Sequence, residues 1–234
     1  MLNGIFSQET LLETWEIVKS EFAFAFWETL YVTLAATFFA ALIGAPLGIL
    51  LVTGDKDGIR PLPSPLMKAL NVIINILRSV PFLILMILVF PLTRAIIGTA
   101  VGTVASIVPL TIAAFPFVAR LIEGCMREVN PNVIEMARSM GASPFQIVTK
   151  VMIPESVPSL ISNMTIAFTT ILGYTAMSGI IGGGGLGKIA INYGYYRYKY
   201  LVMLLAVILL VVLVQIFQSV GTKAAVKLDK RIRR

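Results

Sequence analysis

Residues 182–188 read GGGGLGK, which imitates the opening of a phosphate-binding loop, G-x4-G-K. Such a loop places Ser or Thr directly after the lysine, because that hydroxyl must hold Mg2+; here the position is Ile189. No β-strand is expected before the run, so it reads as a flexible glycine-rich break where the chain leaves the bilayer and not as a nucleotide site. The chain has no histidine and one cysteine, Cys125. Imidazole general-base catalysis, an intramolecular disulfide and a His/Cys metal centre are therefore excluded. Arg78 is the single charge within an otherwise apolar run, Ala69–Thr93. A charge at membrane depth is a functional candidate, but Arg78 reads better as an edge anchor or one half of a salt bridge.

The elements that must position these residues follow from composition. Hydrophobic residues make up 57% of the 234 and charged residues 13%, with a mean hydropathy of +0.89. A soluble chain of this size cannot bury so much apolar surface, and disorder is incompatible with it. An all-α polytopic membrane protein remains. The long charge-poor runs place five spans at about 29–53, 70–92, 96–119, 156–180 and 201–221.

The net charge of +7 would suggest nucleic acid in a soluble chain, but here it reads as cytoplasmic anchoring. Fourteen of the nineteen Lys and Arg residues fall on one side, in the first loop, in residues 120–155 and in the tail. That places the N-terminus outside and the C-terminus in the cytoplasm. Glu9, Glu13, Glu16 and Glu21 precede any long apolar run, so no cleaved secretory signal is expected. Leu11, Leu12, Trp15, Val18 and Phe22 recur at helical spacing, an amphipathic helix at the outer interface. The expected organisation is an outer segment 1–26, a membrane domain 27–222 and a basic tail 223–234.

The inner loop 120–155 is too long to be a simple connector. Asn130-Pro131 reads as a helix start, with Val133, Ala137 and Met140 on one face. Gly141 suits its end, and Ser143-Pro144 reopens a helix with serine as cap. Ile147, Val148 and Val151 form the next apolar face, and Pro154 is expected to stop it. The loop thus reads as helix, glycine break, helix.

The stretch EMARSMGASPFQIVTKVMIP, Glu135–Pro154, resembles the EAA loop of ABC importer permeases. Glu135, Ala137, Gly141 and Pro154 fall in register with E-A-A-x3-G-x9-I-x-L-P, while Met136, Val151 and Ile153 are apolar replacements. NILRSVPFLIL, IVPLTIAAFPFVAR and LGYTAMSGIIGGGGLG look like the methionine-importer subgroup, and the likeness covers nearly all the chain from Trp27.

The resemblance implies a type I ABC importer permease fold in a bacterial cytoplasmic membrane. It implies that residues 132–140 form a coupling helix, with Glu135, Ala137, Arg138, Gly141 and Pro154 in the ATPase-coupling loop. It implies a pathway between two copies, lined by the fourth span, with Tyr174, Met177 and Ser178 as pathway or gate residues. The implied partners are a second copy, two cytoplasmic ATPase subunits that bind the ATP and Mg2+, an extracytoplasmic binding lipoprotein and membrane lipid. No cofactor, metal or nucleic acid is expected on this chain, and no enzymatic activity. The alternatives are a permease for another amino acid or small solute, or an ion-coupled secondary transporter. The latter is disfavoured because no acidic residue falls inside the five expected spans.

Overall fold

The computed structural model describes residues 8–229, and every assigned element among them is helical. The elements are α1 (Gln8–Thr53), α2 (Ser64–Ser79), α3 (Phe82–Leu88), α4 (Phe90–Ile97), α5 (Ile107–Arg127), α6 (Pro131–Ser139), α7 (Pro144–Ile181), α8 (Gly185–Ile189, continued by a π-turn at Ala190–Tyr195) and α9 (Tyr200–Leu228). Four of these are long and apolar enough to cross a membrane, or five if α2 and α3 count as one broken span.

Several helices differ from the expected spans. The amphipathic lead-in is not a separate helix: α1 runs unbroken from Gln8, with a π-turn at Val18–Phe22. The expected second span, 70–92, is broken at Val80, which is extended (φ −76, ψ 127). Pro81 is the cause, because its ring excludes the helical conformation from the residue before it. The expected third span, 96–119, is helical only from Ile107 in its main part. Gly98 and Gly102 have φ of +87° and +121°, which end α4 and delay α5. At its far end α5 continues to Arg127, shortening the inner loop from both sides. Of the expected tail 223–234, α9 takes the part up to Leu228, whereas Lys230, Arg231, Arg233 and Arg234 lie outside the described residues, as do residues 1–7.

The chain divides into two compact units. Among the described residues, the first gathers 8–37, Phe82–Thr111 and Phe168–Ile216; the second gathers Phe38–Pro81, Ile112–Ala167 and 217–229. The long helices α1, α5, α7 and α9 each contribute one stretch to each unit.

In the second unit, Gly44 and Gly48 let α1 lie against α5. A Cβ on Gly48 would stand 2.5 Å from the Ala119 carbonyl oxygen, and one on Gly44 2.8 Å from that of Phe115. This is close packing by small residues four apart. Leu51, Met67, Ile74 and Ala119 form a buried cluster beside it. Arg120 ties α5 to α2, donating to Asn71 (2.7 Å) and Asn75 (3.0 Å) while pairing with Glu123 (2.6 Å).

Candidate functional site

The helix–glycine–helix segment of the second unit is built by local rules. Asn130 caps α6, its side chain accepting from the Asn132 amide at 2.9 Å, and Pro131 occupies the first turn, where its missing N–H costs nothing. At the other end Gly141 has φ +82°. Its amide donates to the Arg138 carbonyl (3.0 Å), and the Ala142 amide donates to that of Ala137 (3.1 Å), a Schellman motif. Ser143 starts α7 at once with a reciprocal capping box. Its amide donates to Gln146 Oε1 (2.8 Å), and the Gln146 amide donates to Ser143 Oγ (3.3 Å). The backbone from Arg138 to Gln146 is therefore held at nearly every step.

The side chains sort by face. Ala137 and Ile147 are buried, whereas Glu135 and Arg138 are exposed. Met140, expected on one face with Val133 and Ala137, is 74% exposed while Ala137 is buried; Phe145 at 76% and Met136 at 58% are exposed as well. Arg138 Nη2 donates to the Ile59 carbonyl at 3.2 Å, which fastens α6 to the connector after α1. Asp55 on that connector pairs with Arg127 at 2.8 Å, and Arg127 also pairs with Glu123. The Arg127 guanidinium, helped by the Lys56 amide, holds the Asp55 carboxyl below the usual carboxylate range. Between connector and α6 lies a groove of about 490 Å3, with Asp57, Glu135 and Arg138 on its walls.

Pro154 is exposed and does not stop the helix. A π-turn at Val148–Met152 precedes it, with the Ile153 amide donating to the Val148 carbonyl five residues back. The wider turn shifts the bonding register, so α7 runs through Pro154 and Pro158 to Ile181.

In the first unit the glycine run is a packed corner, not the flexible break its composition suggests. Gly183, Gly185, Leu186, Gly187 and Ile189 are all buried. Glu28 of α1 accepts from the Gly185 amide (2.8 Å) and from Thr103 Oγ1 (2.6 Å), and Thr29 Oγ1 accepts from the Leu186 amide (2.9 Å). A Cβ on Gly184 would meet Thr103 Oγ1 at 2.2 Å, and one on Gly187 would meet the Ala176 carbonyl oxygen at 2.3 Å. Sequence reading missed Glu28, because it sits one residue before the charge-free run. An acid just ahead of a span, with hydroxyl residues able to reach it, was the available signal.

The three expected pathway residues are divided. Tyr174 stacks on Phe82, ring centroids 4.4 Å apart and nearly parallel. Met177 is exposed, with Gly173 and Ile180 on the same exposed face of α7. Ser178 is buried and donates to the Thr175 carbonyl at 2.7 Å, so its hydroxyl serves the helix. Arg78 lies exposed in the last turn of α2, where a cation complements the helix dipole. It has no ion-pair partner among the described residues.

Residues 44–225 match the family described as binding-protein-dependent transport system inner membrane component. The chain belongs to this family. It is therefore a permease subunit of the ABC transporter type, a multi-pass inner membrane component and a transport protein without catalytic chemistry of its own. The permease is 48% identical over 207 residues to the probable D-methionine transport system permease protein MetI of Vibrio cholerae, covering 88% of this chain and 92% of that protein. It is 43% identical over 218 residues to the corresponding Haemophilus influenzae protein, covering 93% and 100%. Among solved structures, a chain of the inward-facing MetNI methionine ABC transporter matches with a TM-score of 0.85 at 43% identity, covering 87% of this permease and 94% of that chain. The secondary-transporter alternative falls with the family assignment.

Proposed function

We propose that this permease forms the translocation pathway of an ATP-driven methionine importer. The observation that carries the reading is the stapled α6–Gly141–α7 segment, which presents Met136, Met140 and Phe145 to solvent in a chain whose relatives are methionine permeases. A permease without a nucleotide site must receive work mechanically. The receiving element must be rigid, and it must show an apolar face to its partner. The double cap supplies the first property and the exposed Met and Phe side chains the second.

Two copies of the permease enclose the pathway, since so few spans scarcely surround one alone. Two ATPase subunits bind α6 through Glu135, Arg138 and the apolar row, and they hold ATP and Mg2+. Gly141 keeps the backbone close to the groove that receives it, while the buried Ala137 seats α6 against the permease itself. Five spans, with the α2–α3 pair counted as one, set the N-terminus outside and the C-terminus in the cytoplasm. An extracytoplasmic binding lipoprotein delivers substrate to the outer loops. Closure of the ATPases on ATP moves α6, and the motion passes into α7 without a joint because that helix is continuous through Pro154. Met177 and Tyr174 then line the gate on α7.

The test is co-purification with the ATPase and binding protein, followed by uptake of labelled L- and D-methionine into vesicles. ATP-dependent uptake of either isomer is the expected result. A complex that hydrolyses ATP but transports another solute would change the cargo and keep the mechanism.

A further inference from the structure

A groove in the first unit runs along one face of α1, with α8 and the turn after it as the opposite wall. Its volume is about 310 Å3, at the lower end of the ~300–1,000 Å3 typical of small-molecule clefts. The walls are braced at two points, where Glu28 accepts from the Gly185 amide and Glu21 accepts from the Tyr193 hydroxyl. Between the braces Lys188 and Asn192 stand on one wall, with Phe24 and Ile189 supplying apolar surface.

The charges are left open. Glu21 and Glu28 are bound only by neutral donors and have no cation partner among the described residues. Lys188 is exposed and has no carboxylate partner there. A groove that keeps an ammonium and two carboxylates in one small cavity without pairing them is complementary to a ligand bearing both charges. The apolar wall suits a side chain without charge. A zwitterionic α-amino acid with an uncharged side chain has that combination of groups.

We propose that this groove is an acceptor site for such an amino acid. Lys188 and Asn192 take the carboxylate, Glu21 and Glu28 take the ammonium, and Phe24 and Ile189 bear the side chain. The assignment rests on the importer reading above, to which it adds a place where the chain itself holds substrate. It also gives the glycine corner a use, since Gly184 and Gly185 bring the Lys188 wall within hydrogen-bonding reach of Glu28.

The experiment uses the assembled transporter in vesicles and a diazirine analogue of L-methionine as photoprobe. Label should map by mass spectrometry to residues 20–28 and 185–193, and excess L-methionine should suppress it. Methionine methyl ester, which keeps the ammonium but lacks the carboxylate, should compete about tenfold less well, as expected for loss of one charge-assisted contact. Lys188→Ala should abolish that difference, and co-purification with the ATPase shows whether the variant folds. Glu21→Gln, another exposed position, should weaken competition by L-methionine. Label confined to other segments, or discrimination unchanged in Lys188→Ala, would overturn the site. If wild-type vesicles still took up methionine in that case, the importer reading would stand. Groove labelling without uptake would support the site and count against methionine import.

Discussion

At the scale of single residues, two glycines separate packing need from helix propensity. Gly187 faces the Ala176 backbone, and a Cβ there would stand 2.3 Å from a carbonyl oxygen that cannot rotate away. Gly187→Ala should therefore destabilise the permease by about 1–3 kcal/mol, the usual cost of overpacking. Gly173 has nothing within 4 Å of the same position. Gly173→Ala should leave stability unchanged or raise it by about 0.5–1 kcal/mol, since alanine loses less entropy in a helix. Thermal melting of the two variants in detergent reads the contrast. Asp55 gives a pH prediction. Its folded-state pKa is depressed by Arg127 and the Lys56 amide. The stability it contributes is present above the ordinary carboxylate value of about 3.9 and is lost as pH falls through the lower folded value. The pair is exposed, so its worth is only about 0.2–1 kcal/mol. Asp55→Asn should melt slightly earlier than wild type at neutral pH, and the gap should close as pH falls below about 4.

At the scale of elements, the proposed coupling segment needs both of its caps to hold. Ser143→Ala removes the side-chain half of the capping box and should cost about 1 kcal/mol. Hydrogen exchange should locate that loss at the amides of Phe145, Gln146 and Ile147. Gly141 has open space around it but a φ of +82°. Gly141→Arg thus fits sterically at a backbone cost of about 1–3 kcal/mol, while placing a long cation where the ATPase docks in the proposed assembly. The transporter should still insert in the membrane and hydrolyse ATP, with uptake sharply reduced. Normal uptake in this variant would remove α6 from the coupling role. The π-turn before Pro154 belongs to this scale too, since a stop there would leave a flexible joint between α6 and the pathway.

At the scale of the whole molecule, the four long helices α1, α5, α7 and α9 each give one stretch to either compact unit. The exposed face of Gly173, Met177 and Ile180 then needs a cover. A second copy supplies it in the proposed assembly. Met177→Cys should form a disulfide-linked dimer under mild oxidation in the assembled transporter. The native Cys125 is buried and does not interfere. Failure to cross-link would place that face against lipid instead. Orientation is read independently by labelling cysteines introduced near each terminus with a membrane-impermeant reagent. Label from outside should reach the N-terminal site alone.

Much of the coupling segment was legible in the sequence because its determinants are local. Asn130, Pro131, Gly141 and Ser143 act on backbone groups within five residues, so reading them in order yields the helix ends the structure contains, and the structure adds Gln146 as the second half of the Ser143 cap. Membrane character was equally legible, because hydropathy sums over short windows and needs no knowledge of neighbours. Pro154 was misjudged because a proline breaks a helix only where the bonding register around it stays fixed, and here a π-turn shifts it. The glycine run was misjudged for a different reason. The partners that make it a rigid corner, Glu28 and Thr103, lie 157 and 82 positions away from Gly185 in the sequence. Composition alone reports that glycine is permissive. Only the tertiary fold, by bringing distant backbones within a few ångströms, decides whether that freedom becomes motion or close packing.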